Sequence, residues 1–399
     1  MISTSLIEPA TVFGFGRGTN LPSAQASEHL MRCLILLLSL TVYAEDRLRY
    51  PLPAESSIDH QVEITYKDNL KFDLYRPKGA GAVPAVIFLN GIGGEFVRKW
   101  PIYQQWGQVV TTQGLAGILM DSAEGHVPEN FRALLQFLHA HAKELQIDAD
   151  QLMLWACSAN VTAGLPIAMD PSYKELRAAV IYYGTGEVKA FRPDLPVLYA
   201  RAGLDGVGLN KGIDAILSRA LAANAPFTLM NLPASHHAFD ARDDNAMTRE
   251  AIGRTLEFLK SQAQPALQEA ISEGLDEAAA VSAAYRSDWA GAIVAYRKLA
   301  EKKPQDSEIR RNYGNVLLSE GHYKAALTEF ERALAMGNPN VGWISYGAAT
   351  ASIHLDDTEG AMRYIEKLKD IEPMQRKLAG DEAFAKLRTN PRFRQIAGM

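Results

Sequence analysis

Cysteine is scarce in this chain: there are two in 399 residues, Cys33 and Cys157. Long apolar runs are scarce as well. The one strongly apolar stretch without charges, Leu34-Ile-Leu-Leu-Leu-Ser-Leu40, falls far short of the roughly 20 residues that span a bilayer. Neither sign of charge dominates. With 41 basic and 46 acidic residues the formal net charge is −5, and no long block of like charge occurs, so nothing marks a nucleic-acid partner. What is present is an ordinary globular composition, 47% hydrophobic and 22% charged. At this length two or three domains are expected.

The apolar run has the surroundings of a leader. Met31-Arg32 precedes it, and Thr41-Val42-Tyr43-Ala44 separates it from the charged Glu45-Asp46. A basic start, a short apolar core and a small-residue cleavage site predict a secretory signal peptide, with Val42 and Ala44 in the positions the peptidase reads. The mature chain would begin at Glu45, be periplasmic or secreted, and carry no transmembrane anchor. Cys33 would leave with the leader, so Cys157 would be the only thiol and no internal disulfide could form. Such a leader ordinarily opens a protein. Met31 therefore reads as the initiator and residues 1–30 as an unused upstream extension. Gly14-Phe-Gly-Arg-Gly18 follows no strand and is not read as a nucleotide loop.

Glycine is missing where one motif would ordinarily hold it. Leu152-Met-Leu-Trp-Ala-Cys-Ser-Ala-Asn160 is a strand-like run ending in Ser158, and a helix-like segment, Val161 to Met169, follows at once. A nucleophile elbow needs this strand–turn–helix order, because the sharp turn lifts the hydroxyl clear of the sheet and only small flanking residues leave room. Ala156 and Asn160 stand at the two usual glycine positions. Alanine is small, and asparagine tolerates left-handed backbone angles better than most residues.

Two later segments supply partners. Val197 to Ala200 is strand-like and leads into a loop with Asp205; Phe227 to Leu232 is another, followed by Pro233-Ala-Ser-His236-His237-Ala-Phe-Asp240. Ser158, Asp205 and His237 thus come in the serine–acid–histidine order, each after a predicted strand, and can converge on one edge of a parallel sheet. Two readings compete for Asp205, triad acid or cap of a helix beginning near Leu209. His236 competes with His237 for the base, and the His-Ala-Phe-Asp context favours His237. Asp121 and His126 follow the strand Leu115 to Met120 and are read as loop residues shaping the cleft.

On these residues, the segment from about Val62 to Ser261 resembles the α/β-hydrolase superfamily, and within it the dienelactone-hydrolase-like esterases. The domain is placed at residues 62–262. The resemblance implies a mostly parallel sheet flanked by helices, a small ester or lactone as substrate, an acyl-enzyme intermediate, and no metal or organic cofactor. Dienelactone hydrolases proper use a cysteine, and Cys157 lies beside Ser158. A nucleophile at Cys157 would put Trp155 where a small residue is required, so sterics favour Ser158. Two backbone donors are needed for the oxyanion. One is the amide of Ala159. The other comes from Asn90-Gly91-Ile92-Gly93-Gly94, after the strand Val86 to Leu89, with Ile92 favoured and Gly91 the alternative.

Beyond Gln262-Ala-Gln-Pro265 the composition turns to Ala, Glu and Lys, and a period of 34 to 35 residues emerges. Ala292, Ala326 and Ala361 recur at that spacing, as do Tyr296, Phe330 and Ile365, and Pro304, Pro339 and Pro373 close the units. Ser307 to Asn340 resembles the tetratricopeptide repeat, and residues 273–399 are assigned to an all-α array of such repeats. Phe384 to Phe393 is read as a capping helix. The array implies a protein or peptide partner held on a concave face. Two functions compete: an exported serine hydrolase with a repeat appendage, and a repeat scaffold carrying an inactive hydrolase fold.

Overall fold

The computed structural model describes residues 47–89, 95–123 and 125–399. The expected leader and the Asn90–Gly94 loop, with Gly91 and Ile92, lie outside the described residues.

Eight strands form one sheet: β1 (Ile58–Lys67), β2 (Leu70–Pro77), β3 (Val83–Leu89), β4 (Ala116–Met120), β5 (Ile147–Cys157), β6 (Leu176–Tyr182), β7 (Val197–Ala202) and β8 (Phe227–Leu232). Their order is β1-β2-β4-β3-β5-β6-β7-β8. β2 runs antiparallel to β1 and β4, and the other neighbours pair in parallel. Parallel neighbours need long crossovers, which helices supply except between β6 and β7, where a loop makes the connection. After β3 come α1 (Glu95–Arg98) and α2 (Pro101–Val109). α3 (Val127–Leu145) joins β4 to β5, α4 (Val161–Met169) joins β5 to β6, and α5 (Val207–Ala222) joins β7 to β8. α6 (Phe239–Arg242) and α7 (Ala246–Gln262) complete this part.

Central strands covered on both faces read as unbroken apolar runs, which is why Val86 to Leu89 and Leu152 to Ala156 are wholly buried. Strand alternation divides β5 between two cores. Leu152, Leu154 and Ala156 pack with Leu134 of α3 and Leu165 of α4. On the other face, Trp155 lies between Phe88, Trp106 and Tyr182, with ring centroids 5.3 to 5.5 Å apart.

A buried ion cluster ties α1 to the sheet. Arg98 is fully buried, pairs with Asp73, and reaches Asp121 at 2.9 Å and Glu63 at 3.2 Å. Hydrogen bonds from Lys71, Lys99 and Arg98 hold the Glu63 carboxyl down at about 2. Asp121, expected to shape the cleft, is a member of this cluster instead. His126 is exposed just ahead of α3.

The remainder is helical: α8 (Pro265–Tyr285), α9 (Trp289–Lys302), α10 (Ser307–Ser319), α11 (Tyr323–Ala335), α12 (Val341–His354), α13 (Thr358–Ile365), α14 (Glu372–Gly380) and α15 (Pro391–Ala397). Ala292, Ala326, Ala361, Phe330 and Ile365 are fully buried, and Tyr296 is nearly so. Small residues let helices close on the aromatics. A Cβ at Gly314 or at Gly347 would stand 2.7 Å from the Phe330 ring. Asp288, Asp306 and Asp357 cap α9, α10 and α13 by accepting main-chain N–H bonds. Pro373 lies in the first turn of α14, and does not close a unit. The tail is also not one helix. A 3₁₀ segment, Glu382–Leu387, ends before Asn390 caps α15, because Pro391 cannot continue the preceding helix but suits a first turn. The expected fold class, a mostly parallel sheet flanked by helices and then an all-α region, is the one present.

Candidate active site

Ser158 directly follows β5, with φ of 50°, a left-handed angle uncommon outside glycine. A 3₁₀ turn, Ser158–Asn160, runs straight into α4. The strand thus ends, the chain reverses, and the serine stands at the bend. Asn160 has φ of −67° and is right-handed, so its tolerance of left-handed angles is not used; Ser158 itself carries the strained angle. Space for the bend comes from glycines farther along. A Cβ on Gly184 would meet the Ser158 carbonyl oxygen and the Val161 side chain at 2.4 Å each. One on Gly164 would stand 2.5 Å from the Cβ of Ala156.

β5, β7 and β8 deliver three side chains to one edge of the sheet. Ser158 Oγ lies 2.8 Å from His237 Nε2, and His237 Nδ1 lies 2.6 Å from Asp205 Oδ2. With Nδ1–H donated to the carboxylate, the Nε2 lone pair faces the serine hydroxyl, which donates to it. The other Asp205 oxygen accepts from the Gly206 amide at 2.7 Å, and α5 starts after Gly206 with no side-chain cap. Asp205 is therefore turned to the histidine, not to α5. The imidazole is about a quarter exposed and the carboxylate is nearly buried. His236 turns outward, pairing through Nδ1 with Asp243 Oδ1 at 3.0 Å. Ala159, the next residue after the serine, is exposed at the bend.

Beneath this row lies a buried polar layer. Cys157 Sγ contacts Tyr103 Oη at 3.5 Å; burial, with the nearby Asp240 charge, pushes its thiol up to about 12. A thiol so held is not the thiolate that reacts. Tyr183 Oη donates to Asp240 Oδ1 at 2.6 Å, Trp106 Nε1 donates to Oδ2 at 2.9 Å, and Asp240 is fully buried. Burial raises the Asp240 carboxyl above its ordinary range, against those two hydrogen bonds. Sequence reasoning placed Asp240 in a motif without a task, and missed Tyr183 and Gly184 entirely. Tyr183 lies just past a strand end, a position that could have drawn notice. Gly184 matters only through its approach to the bend, which no local pattern records. No group of three or more His, Cys, Asp or Glu side chains suited to a metal occurs among the described residues.

No protein-family model matches the chain, and no curated protein matches it significantly. Among solved structures, esterase B from Lactobacillus rhamnosis bound to a tributyrin phosphonate is similar at 14% identity and a TM-score of 0.46, covering 61% of this chain and 97% of that one. A thermostable esterase from Pseudomonas putida is similar at 15% identity and a TM-score of 0.44, covering 62% and 93%. Brefeldin A esterase, a bacterial homologue of human hormone-sensitive lipase, is similar at 15% identity and a TM-score of 0.47, covering 61% and 88%.

Proposed function

We propose that this chain is a serine hydrolase of carboxylic esters or lactones, in the manner of the dienelactone-hydrolase-like esterases, working through Ser158, His237 and Asp205. The observation that carries it is the unbroken row of hydrogen bonds, 2.8 and 2.6 Å, from serine to histidine to aspartate across three strand ends. His237 Nε2 takes the Ser158 proton as Oγ attacks the acyl carbon. Asp205 keeps the tautomer and stabilises the imidazolium. The Ala159 amide supplies one oxyanion donor, with Ile92 or Gly91 supplying the second; losing one donor costs about 2.7–4 kcal/mol of transition-state stabilisation. His237 then protonates the leaving alcohol, the Ser158 ester remains, and a water activated by the same nitrogen releases the acid.

The helices after Pro265 are proposed to be tetratricopeptide-like repeats that hold a protein or peptide partner and take no part in the chemistry. Export through the Leu34–Leu40 core and the Val42-Tyr43-Ala44 site belongs to the same proposal; amino-terminal sequencing of periplasmic or secreted material, with Glu45 expected first, tests it. A fluorophosphonate probe labels only an activated serine, so labelling of the wild-type chain and its loss in Ser158→Ala tests the enzyme. A folded chain that leaves the probe unreacted would be a repeat scaffold with an inactive hydrolase fold.

A further inference from the structure

One buried acid, Asp240, stands outside the Ser158–His237–Asp205 row. Asp240 is fully buried, and each carboxyl oxygen meets a donor, Tyr183 Oη on one side and Trp106 Nε1 on the other. An indole N–H can only donate. With Tyr183 Oη donating to Oδ1 as well, both oxygens accept, as those of an ionised carboxylate do. Neutral donors solvate such a charge but do not cancel it, and an uncompensated charge in a dry site is costly. Burial is the largest influence and raises the carboxyl; the two hydrogen bonds and positive charge on His237 act the other way and favour the ionised form.

Tyr183 links the two. Its ring stands edge-on to the His237 imidazole, with centroids 4.8 Å apart and planes at 60°. Its backbone is strained, at φ of 32°, and a Cβ on Gly184 beside it would meet the Ser158 carbonyl oxygen at 2.4 Å. Strain of this kind persists only where surrounding structure holds it.

Resting on the hydrolase reading, the geometry points to Asp240 as a positioning residue. Through Tyr183 it sets the wall against which His237 stands, and its buried negative charge favours the imidazolium formed when Ser158 gives up its proton. Asp205 faces His237 from the loop after β7. Cys157 of β5, Tyr182 of β6 and Tyr183 feel the Asp240 charge, and Tyr103 of α2 contacts the Cys157 thiol. Arg49 donates Nε to the Ala241 carbonyl at 2.6 Å and lies 3.9 Å from Asp244, while Arg242 follows in α6.

The test follows the His237 ring by nitrogen NMR across pH in the full chain, alongside the acid limb of kcat/KM for p-nitrophenyl butyrate. Removing a nearby negative charge disfavours the protonated ring, so Asp240→Asn should move both midpoints to lower pH and cut kcat about tenfold, with KM little changed. Midpoints and kcat that stay at the wild-type values would overturn the inference. If Asp240→Asn does not fold, Tyr183→Phe decides. It keeps the ring but removes the donor, so Asp240 takes up a proton more readily and the midpoints should again fall; an unmoved profile overturns the inference there too. A wild-type chain that hydrolyses no ester defeats the hydrolase reading, whereas the NMR midpoints still test the coupling of Asp240 to His237.

Discussion

The Cβ of Ala156 lies where Gly164 leaves room for it: a methyl at position 164 would stand 2.5 Å away. The larger residue before the serine is thus matched by a smaller one on the helix after it, and the bend at Ser158 forms without its usual glycines.

Gly164→Ala should be destabilising despite alanine's better helix propensity. The added methyl meets backbone-fixed Ala156 on a central strand, and overpacking of this kind costs about 1–3 kcal/mol. Denaturant unfolding should show a lowered midpoint, and the displaced Ser158 should lower kcat. The double variant Ala156→Gly/Gly164→Ala should recover most of the loss.

Ser158→Ala and His237→Ala should each lower kcat by on the order of 10⁶-fold, since members of a triad act as a unit. His236→Ala should retain most activity, because its ring is turned to Asp243. Cys157→Ala should stay active, and the native thiol should resist iodoacetamide at pH 8, far below its raised value of about 12. Activity lost with Cys157 and kept without Ser158 would reverse the assignment.

Glu63 should make stability acid-sensitive in a defined window. Its folded value is lowered from 4.5 to about 2 by Lys71, Lys99 and Arg98. The contribution is therefore full above 4.5 and is lost as pH falls toward 2. Glu63→Gln should flatten the pH dependence of unfolding in that interval. Arg98→Met should be far more damaging, at about 3–5 kcal/mol, because it leaves the charges of buried Asp73 and Asp121 without the guanidinium that pairs them.

Deleting residues 270–399 should leave turnover of a small soluble ester nearly unchanged while weakening any association seen in pull-downs. α8 does touch the sheet-bearing part, since Ser282 Oγ donates to the Ala223 carbonyl at 2.8 Å. Ala223 follows α5, on the opposite end of that helix from Asp205. A truncated protein that folds but no longer turns over small esters would show that the helices help to build the site.

The strand–bend–helix around Ser158, the later strands and the recurrence of small and aromatic residues in the helical part were legible from sequence because each rests on local rules: unbroken apolar runs, and small residues repeated at fixed spacing. β7 and β8 begin where their apolar runs begin, and α4 spans the predicted Val161–Met169. One choice depended on distance through space. The adjacent histidines have the same local chemistry, and only the path of the loop after β8 turns His237 to Ser158 and His236 to Asp243. Nor could spacing reveal that Asp121 is bound to Arg98, that Gly184 lies under the bend, or that Asp240 is buried behind the histidine. Each of these contacts joins residues brought together from separate parts of the folded chain, where burial and close approach, unlike helix and strand periodicity, leave no mark on neighbouring residues.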